Sequence, residues 1–135
     1  MNSILLEVNN FRIVVIDDNV DAADMFGWLL EAEGYKAEVR YSASAGLELT
    51  SKFEPHVVFC DLGMPVMSGY DFAREFRAQD LSSRPLLVAV SGWNDERTRM
   101  RTKNAGFDAH LVKPASLSDI VILLQEYSKK MAECI

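Results

Sequence analysis

Cysteine is scarce in this sequence, and its placement argues against a disulfide framework. Among 135 residues only Cys60 and Cys134 occur, the first inside an apolar run and the second next to last. Small secreted domains that depend on disulfides carry many more cysteines, so this usage is typical of a reducing compartment. We therefore expect a cytoplasmic protein that is stabilised by a hydrophobic core.

Long apolar segments and an excess of positive charge are also absent. Residues 1–10 lack a cationic start, and their apolar piece Ile4-Leu5-Leu6 is too short for a signal peptide or a membrane span. Fourteen basic against twenty acidic residues give a formal net charge of −6, which repels a phosphate backbone unless the cations gather on one face. The sequence thus disfavours both membrane association and direct nucleic-acid binding.

What is present is the composition of one ordinary globular domain. Hydrophobic residues make up 49% and charged residues 25% of the chain, and its length suits one core. We expect a single domain over residues 1–135, with its core at about 11–132 and an N-terminal extension at 1–10.

Short unbroken apolar runs predict strands that are covered on both faces, and hence a parallel sheet. Such runs lie at residues 13–16, 57–60, 86–90 and, more weakly, 111–112, and a more exposed edge-strand candidate lies at 36–41. Segments with helical spacing separate them, the first closed by Gly34 and the last opened by Ser116-x-x-Asp119. Five strand–helix alternations predict an α/β, doubly wound (βα)5 sandwich.

The helical segment from Asp95 to Asn104 differs from the others. It holds four cations, but Met100 is its only large apolar residue. Four cations on one helix are more often a solvated face than a nucleic-acid site. We expect this helix to pack loosely, which would suit an element that shifts during signalling.

Polar residues follow four of the five predicted strands, at the edge where ligands bind in open parallel sheets. These residues are Asp17 and Asp18, Asp61, Ser91 and Lys113. Each has an ordinary explanation when taken singly: Asp18 or Asn19 can cap the first helix, and the others can be turn or solvated residues. Their convergence at one edge favours a ligand site.

Several carboxylates at one edge require a compensating cation. In the strand order 2-1-3-4-5, known from doubly wound folds, the first and third strands are neighbours, so Asp17, Asp18 and Asp61 share a cleft. Two carboxylates about 4 Å apart repel by roughly 4 kcal/mol at an effective dielectric constant near 20. Lys113 supplies one positive charge, and hard oxygen ligands with room for water suit Mg²⁺. A carboxylate, a metal, a hydroxyl and an ammonium together are suited to accepting a phosphoryl group.

Four segments carry a specific combination of motifs. They are Val15–Asn19, Asp61–Gly69 with its D-x-x-M-P-x-M-x-G pattern, Ala89–Gly92, and Gly106–Pro114, which ends in Lys-Pro. The acidic pair or Lys-Pro alone would be a weak signal, but with all four the sequence resembles the receiver domain of two-component response regulators. The resemblance covers nearly the whole chain and implies a flavodoxin-like sheet of order 2-1-3-4-5.

The resemblance implies a role for each polar residue. Asp61 is the expected phosphoacceptor, taking the phosphoryl group from a histidine kinase or histidine phosphotransfer protein. Asp18, Asp61 and the backbone carbonyl of Gly63 are the expected Mg²⁺ ligands, with Asp17 acting through water. The groups expected at the phosphoryl group and its switch are Ser91, Gly92 and Lys113, and the family's cis peptide corresponds to Lys113–Pro114.

The sequence departs from the family pattern at three positions. His110 stands where the family usually has a Tyr or Phe that moves with the loop hydroxyl, so it is either a rewired, pH-sensitive switch residue or a half-exposed strand-end histidine. Gly63 and Trp93 lie where side chains tune hydrolysis in the family. We expect the Trp93 indole to screen the phosphoryl group from water, although a surface aromatic at a partner interface is the alternative.

The expected function is that of a stand-alone receiver whose only chemistry is self-phosphotransfer and autodephosphorylation. The kinase would dock near Asn19 to Ala23, where small Ala22 and Ala23 permit close approach. The output surface would comprise the basic helix, the fifth strand and the last helix, in a monomer or a phosphorylation-dependent dimer. Alternatives are an inactive receiver-like scaffold, a receiver fragment of a hybrid sensor kinase, and an aspartyl phosphatase, which would want a second acid where Gly63 stands.

Overall fold

The computed structural model describes residues 11–79 and 84–133, with side chains to residue 131. The expected extension at 1–10 and Cys134 lie outside the described residues. The elements in chain order are β1 (Arg12–Ile16), α1 (Val20–Ala32), β2 (Lys36–Arg40), α2 (Ala43–Phe53), β3 (Val57–Asp61), α3 (Gly69–Ala78), β4 (Leu86–Ser91), α4 (Glu96–Ala105), β5 (Ala109–Val112) and α5 (Leu117–Glu133).

The five strands form one parallel sheet of order β2-β1-β3-β4-β5, which confirms the predicted doubly wound architecture. The register pairs Ile16 with Cys60 between β1 and β3, and Asp61 with Val90 between β3 and β4. The carboxyl ends of β1, β3 and β4 therefore reach the same edge side by side.

Alternate residues of the central strands β1, β3 and β4 supply two separate cores, one on each face of the sheet. One core packs Val14, Val58 and Leu87 against α2, α3 and α4. The other packs Val15 and Phe59, with neighbouring strand residues, against α1 and α5. Because both faces are covered, these strands read as continuous apolar runs rather than alternating ones.

Local signals set the ends of α1. The Asn19 side chain accepts a hydrogen bond from the Ala22 N–H (3.1 Å), so Asn19, and not Asp18, caps the helix. Gly34 follows the helix end with a φ of 94°, a backbone conformation that favours glycine. One expectation for this helix is wrong: Ala22 is exposed, but Ala23 is fully buried and offers nothing to a docking partner.

The basic helix α4 packs through small residues. Its buried residues are Thr102 and Ala105, while Met100 is 62% exposed and makes no contribution to the core. The helix turns its only large apolar residue to solvent and buries only small side chains, which agrees with the expected loose packing. Within residues 11–79 and 84–133, no helix has the length and apolar character needed to cross a bilayer.

Candidate functional site

The neighbouring strands β1 and β3 bring three aspartates together. One carboxylate oxygen from each of Asp17, Asp18 and Asp61 lies within 4.8 Å of the others, and we call these residues the acidic cluster. Asp17 is buried, Asp61 is partly buried and Asp18 is exposed, so the cluster opens to solvent on one side.

The two acids at the end of β1 have different hydrogen-bond partners and environments. Asp17 Oδ1 accepts the Asn19 N–H (3.0 Å), which fixes the turn into α1. Because Asn19 caps α1, the Asp18 side chain does not cap this helix. The Asp18 carboxylate is therefore left to the solvent-facing side of the cluster, where a ligand can reach it.

Lys113 joins the cluster from the end of β5. Its Nζ lies 3.1 Å from Asp17 Oδ2 and 2.9 Å from Asp61 Oδ1. Burial by itself lowers the pKa of the Lys113 ammonium, but the hydrogen bonds and charges of Asp61 and Asp17 outweigh that effect, so the pKa is raised. The Lys113–Pro114 peptide bond that follows is cis.

The donor set of the acidic cluster fits a hard divalent cation. Three carboxylates face one ammonium, which leaves two negative charges uncompensated, and the Asp17 and Asp61 side chains are only 11% and 12% exposed. Partly desolvated carboxylates repel strongly unless a cation binds, and oxygen ligands open to water suit Mg²⁺.

Ser91 lies at the end of β4, beside Asp61, and is buried. Its Oγ accepts the Trp93 N–H (3.1 Å), and its carbonyl accepts the Lys113 N–H (2.8 Å), which ties β4 to the end of β5. Gly63, Gly92 and Trp93 line the same cleft as Asp61 and Ser91. A Cβ at Gly63 or Gly92 would meet open space, so this cleft has room beside the carboxylate.

Trp93 is 74% exposed at the rim of this cleft, and His110 lies apart from it. Neither His110 ring nitrogen has a hydrogen-bond partner among the described residues. Burial lowers the pKa of His110, and the positive charge of Arg99 lowers it further. The nearby Trp93 backbone partly opposes this decrease, although it forms no well-aligned hydrogen bond with the ring.

Four residues that sequence reasoning did not assign also line the cleft. They are Tyr70, Asp95, Thr98 and Arg101. The Arg101 guanidinium carbon lies 4.0 Å from the centroid of the Tyr70 ring, a cation–π contact between α4 and α3. The sequence contains no signal for this pair, because the contact depends on how the two helices meet.

Gly69 places α3 directly against the backbone of Asp61. Its N–H donates to the Leu62 carbonyl (2.9 Å), and a Cβ there would lie 2.3 Å from the Asp61 carbonyl oxygen. Only glycine allows this approach, which explains the glycine that closes the D-x-x-M-P-x-M-x-G block.

The family model of the response regulator receiver domain matches residues 13–125. The chain belongs to this family. Its fold is similar to that of the chemotaxis protein CheY4 of Vibrio cholerae, with a TM-score of 0.82 and 23% identity, over 87% of this chain and 98% of that one. The receiver domain is a signalling domain, and the resemblance inferred from the four motifs is confirmed.

Two curated relatives differ in how much of them this receiver spans. A 14.6 kDa protein of Leptolyngbya boryana is 28% identical over 115 residues, which are 85% of this chain and 88% of that protein. The sensor histidine kinase AtsR of Burkholderia thailandensis is 29% identical over 114 residues, 82% of this chain but 19% of the kinase. The sequence thus matches both a small protein and one part of a large kinase.

Proposed function

We propose that this receiver accepts a phosphoryl group from a phosphohistidine on Asp61 and thereby switches a protein-binding surface. The observation that carries the proposal is the pocket in which the acidic cluster meets Lys113. Family membership supports the same function, because receivers are signalling domains.

In the transfer step, a carboxylate oxygen of Asp61 bonds to phosphorus while the phosphorus–nitrogen bond of the donor histidine breaks. The bonding electron pair stays on the imidazole nitrogen. Lys113 already contacts the Asp61 carboxylate and can pair with the phosphoryl oxygens once they arrive. Positioning and charge neutralisation therefore provide most of the rate, as in other phosphoryl transfers.

The proposed metal ligands are Asp18, Asp61 and the backbone carbonyl of Gly63, with Asp17 acting through water. When bound, Mg²⁺ would neutralise negative charge on the reacting oxygens. The exposed position of Asp18 supports this assignment, since Mg²⁺ retains several water ligands and requires an open side.

The switch is proposed to begin at Ser91, with Gly92 lining the phosphoryl site. The Ser91 oxygen accepts the Trp93 N–H, so its hydroxyl hydrogen is available for a phosphoryl oxygen. Moving Ser91 toward that oxygen would break the bond to Trp93 and shift the chain that leads into α4. A role for His110 in this switch stays a prediction.

We place the partners on two surfaces. A histidine kinase or histidine phosphotransfer protein would approach the acidic cluster past the start of α1, where Ala22 is exposed. A downstream protein would bind the face of α4, β5 and α5. We further propose that residues 1–135 form a single cytoplasmic domain. It would act as a monomer or a phosphorylation-dependent dimer and would bind neither nucleic acid nor a membrane.

Incubation with Mg²⁺ and acetyl phosphate, followed by intact-mass analysis and peptide mapping, tests the proposal. We expect one added phosphoryl group, located on Asp61, that requires the divalent ion. Asp61→Asn should abolish the addition, whereas Asp21→Asn, an exposed acid of α1 outside the cluster, should leave it unchanged. Uptake that persists in Asp61→Asn, or without a divalent ion, would contradict the mechanism.

The same experiment separates the alternatives. An inactive scaffold would fold normally and take up no phosphoryl group. A phosphatase would release inorganic phosphate from added phosphate esters with turnover, which we do not expect, because Gly63 provides no general acid two residues after Asp61. The match to part of a sensor kinase keeps a phosphorelay role open, and transfer from a phosphotransfer protein would reveal it.

A further inference from the structure

A second polar cleft lies between α4 and β5, away from the acidic cluster. This α4–β5 groove has a volume of about 660 Å³, within the range of small-molecule sites. Its polar lining consists of Arg84, Arg99, Thr102, Lys103, Asp108 and His110. None of these residues has a part in the proposed phosphoryl-transfer step.

The strand register directs His110 toward this groove. His110 pairs with Ala89 of β4, and Ala89 belongs to the core on the α2–α4 face of the sheet. The imidazole therefore lies on the side of the sheet that α4 covers.

The hydrogen-bonding groups of the His110 ring have no partners among the described residues. Both nitrogens are buried atoms, and neither has a hydrogen-bond partner among the described residues. A buried imidazole normally donates from one nitrogen and accepts at the other, and an unpaired group of this kind calls for a water or a ligand. Both nitrogens are shielded from solvent, so an oxygen-bearing group in the groove would satisfy the donor once the ring rotates toward it.

The charges around the ring favour an anion. Arg99 uses its Nε for Asn94 (2.7 Å), which leaves the two terminal nitrogens of the guanidinium without a partner among the described residues. Lys103 makes no ion pair within the described part of the chain and is exposed. A net charge of −6 makes this gathering of cations unusual for the molecule.

Among the described residues, Asp108 is the single acid in the lining, and it is already neutralised. Asp108 pairs with Arg84 (3.0 Å) and with Arg77, and it also accepts the Leu87 N–H (2.9 Å). The groove therefore keeps a positive excess, and Asp108 does not repel an incoming anion as a free carboxylate would.

We propose that the α4–β5 groove binds a small phosphate-bearing anion, whose oxygens accept hydrogen bonds from the free end of Arg99 and, after rotation of its ring, from His110. Lys103 adds positive charge at the rim, while Arg84 remains paired with Asp108. The groove does not include Asp61, so binding can be tested on the unphosphorylated protein without Mg²⁺.

The proposal links anion binding to the protonation of His110. Arg99 and the Trp93 backbone act directly on the ring. The other charged groups that share the groove with it are Lys103 from α4 and Arg84 and Asp108 from the flanking loops. A bound anion stabilises the protonated ring and must raise the His110 pKa above its value in the free protein. A rise of about one unit corresponds to about tenfold tighter binding at low than at high pH.

Nuclear magnetic resonance of the imidazole C–H groups tests the site, because the chain has two histidines. His56 lies outside the groove, and its Nδ1 accepts the Arg12 N–H (3.0 Å), so it serves as the internal control. Inorganic phosphate, pyrophosphate and ADP are added at constant ionic strength between pH 6 and 8. We expect saturable shifts and a raised pKa for His110 but not for His56. The ligand with the highest affinity shows whether the groove prefers free phosphate, a diphosphate or a nucleotide.

Matched variants complete the test. Arg99→Gln should weaken the binding by about tenfold, while Arg97→Gln, an exposed cation of α4 outside the groove, should change it less than twofold. Backbone amide shifts of Thr102 and Gly106 provide a second readout that does not need the His110 signal. Non-saturating shifts, equal shifts of both histidines, or equal losses in the two arginine variants would overturn the proposal.

Discussion

Asp17, Asp18 and Asn19 follow one another at the end of β1, and each side chain has a different task. Asn19 caps α1, Asp17 fixes the turn and pairs with Lys113, and Asp18 faces solvent within the acidic cluster. The sequence leaves capping open between Asp18 and Asn19, because both residue types cap helices well. The geometry resolves that ambiguity in favour of Asn19.

Lys113 would compete with the proposed divalent cation for the same carboxylates. Replacing it in Lys113→Met removes the ammonium from Asp17 and Asp61, so the apo pocket becomes more repulsive. We expect Mg²⁺ to bind about tenfold more tightly in this variant by calorimetry, even though phosphoryl uptake falls. Lys129→Met, an exposed residue of α5, should bind as wild type does. Weaker Mg²⁺ binding in Lys113→Met would contradict this reading of the pocket.

Trp93 provides a test of water access to the phosphorylated site. The indole lies at the rim of the cleft and is exposed, so it can cover a phosphoryl group on Asp61 without filling the cleft beforehand. Trp93→Ala should shorten the lifetime of the phosphorylated protein, measured as loss of the mass adduct with time. Trp28→Ala on α1, also exposed, should leave the lifetime unchanged. An unchanged or longer lifetime in Trp93→Ala would show that the indole is not a shield.

His56 makes stability depend on pH. Burial and the charge of Arg12 lower the His56 pKa below its ordinary value of 6.5, and its Nδ1 accepts a backbone hydrogen bond that protonation would remove. The unfolded chain binds this proton more readily, so the stability is complete above about pH 6.5 and decreases as the pH falls below it. Urea unfolding should show a smaller decrease between pH 8 and pH 6 in His56→Gln. An equal decrease in the free energy of unfolding in the variant and the wild type would show that another group causes the pH dependence. His110 is the other histidine whose pKa is lowered.

At the scale of elements, the packing of α3 onto the end of β3 positions the loop after Asp61. Ser68 caps α3 in a reciprocal capping box with Asp71, and Gly69 then lies directly against the Asp61–Leu62 backbone. The start of α3 is therefore fixed against Asp61, which couples the stability of α3 to the geometry of the pocket.

Gly69→Ala tests this coupling. The added Cβ would collide with backbone atoms that cannot rotate away, so we expect a loss of about 1–3 kcal/mol in the free energy of unfolding. Gly92→Ala, where a Cβ meets open space, should change the free energy of unfolding by less than about 0.5 kcal/mol. Denaturant titration of both variants measures the difference, and equal effects would show that the close approach is not structurally important.

At the scale of the whole molecule, the sheet was predictable because β1, β3 and β4 are covered on both faces and so appear as unbroken apolar runs. The residues at their carboxyl ends were predictable for the same reason, since parallel strands deliver them to one edge. Helix faces were less predictable. Ala23 was expected at a docking surface but is fully buried, and Met100, the only large apolar residue of α4, is exposed.

Features that depend on two separately folded elements could not be predicted from local patterns. The Arg101–Tyr70 contact joins α4 to α3, and the α4–β5 groove gathers cations that lie far apart in the sequence. Only the assembled sheet sets those distances. All four cations of α4 are exposed, as expected of a solvated face. The fold adds that Arg101 lines the cleft while Arg99 and Lys103 line the groove.

The most direct test of the central claim, a pocket built to hold a phosphoryl group with a metal ion, is ¹⁹F resonance spectroscopy with beryllofluoride. This ion mimics a phosphoryl group on a carboxylate and needs no reactive donor. We predict bound ¹⁹F signals at one equivalent per protein that require Mg²⁺, disappear in Asp61→Asn and persist in Asp21→Asn. Bound signals of equal strength in Asp61→Asn, or no bound signal in the wild-type protein with Mg²⁺, would contradict the account.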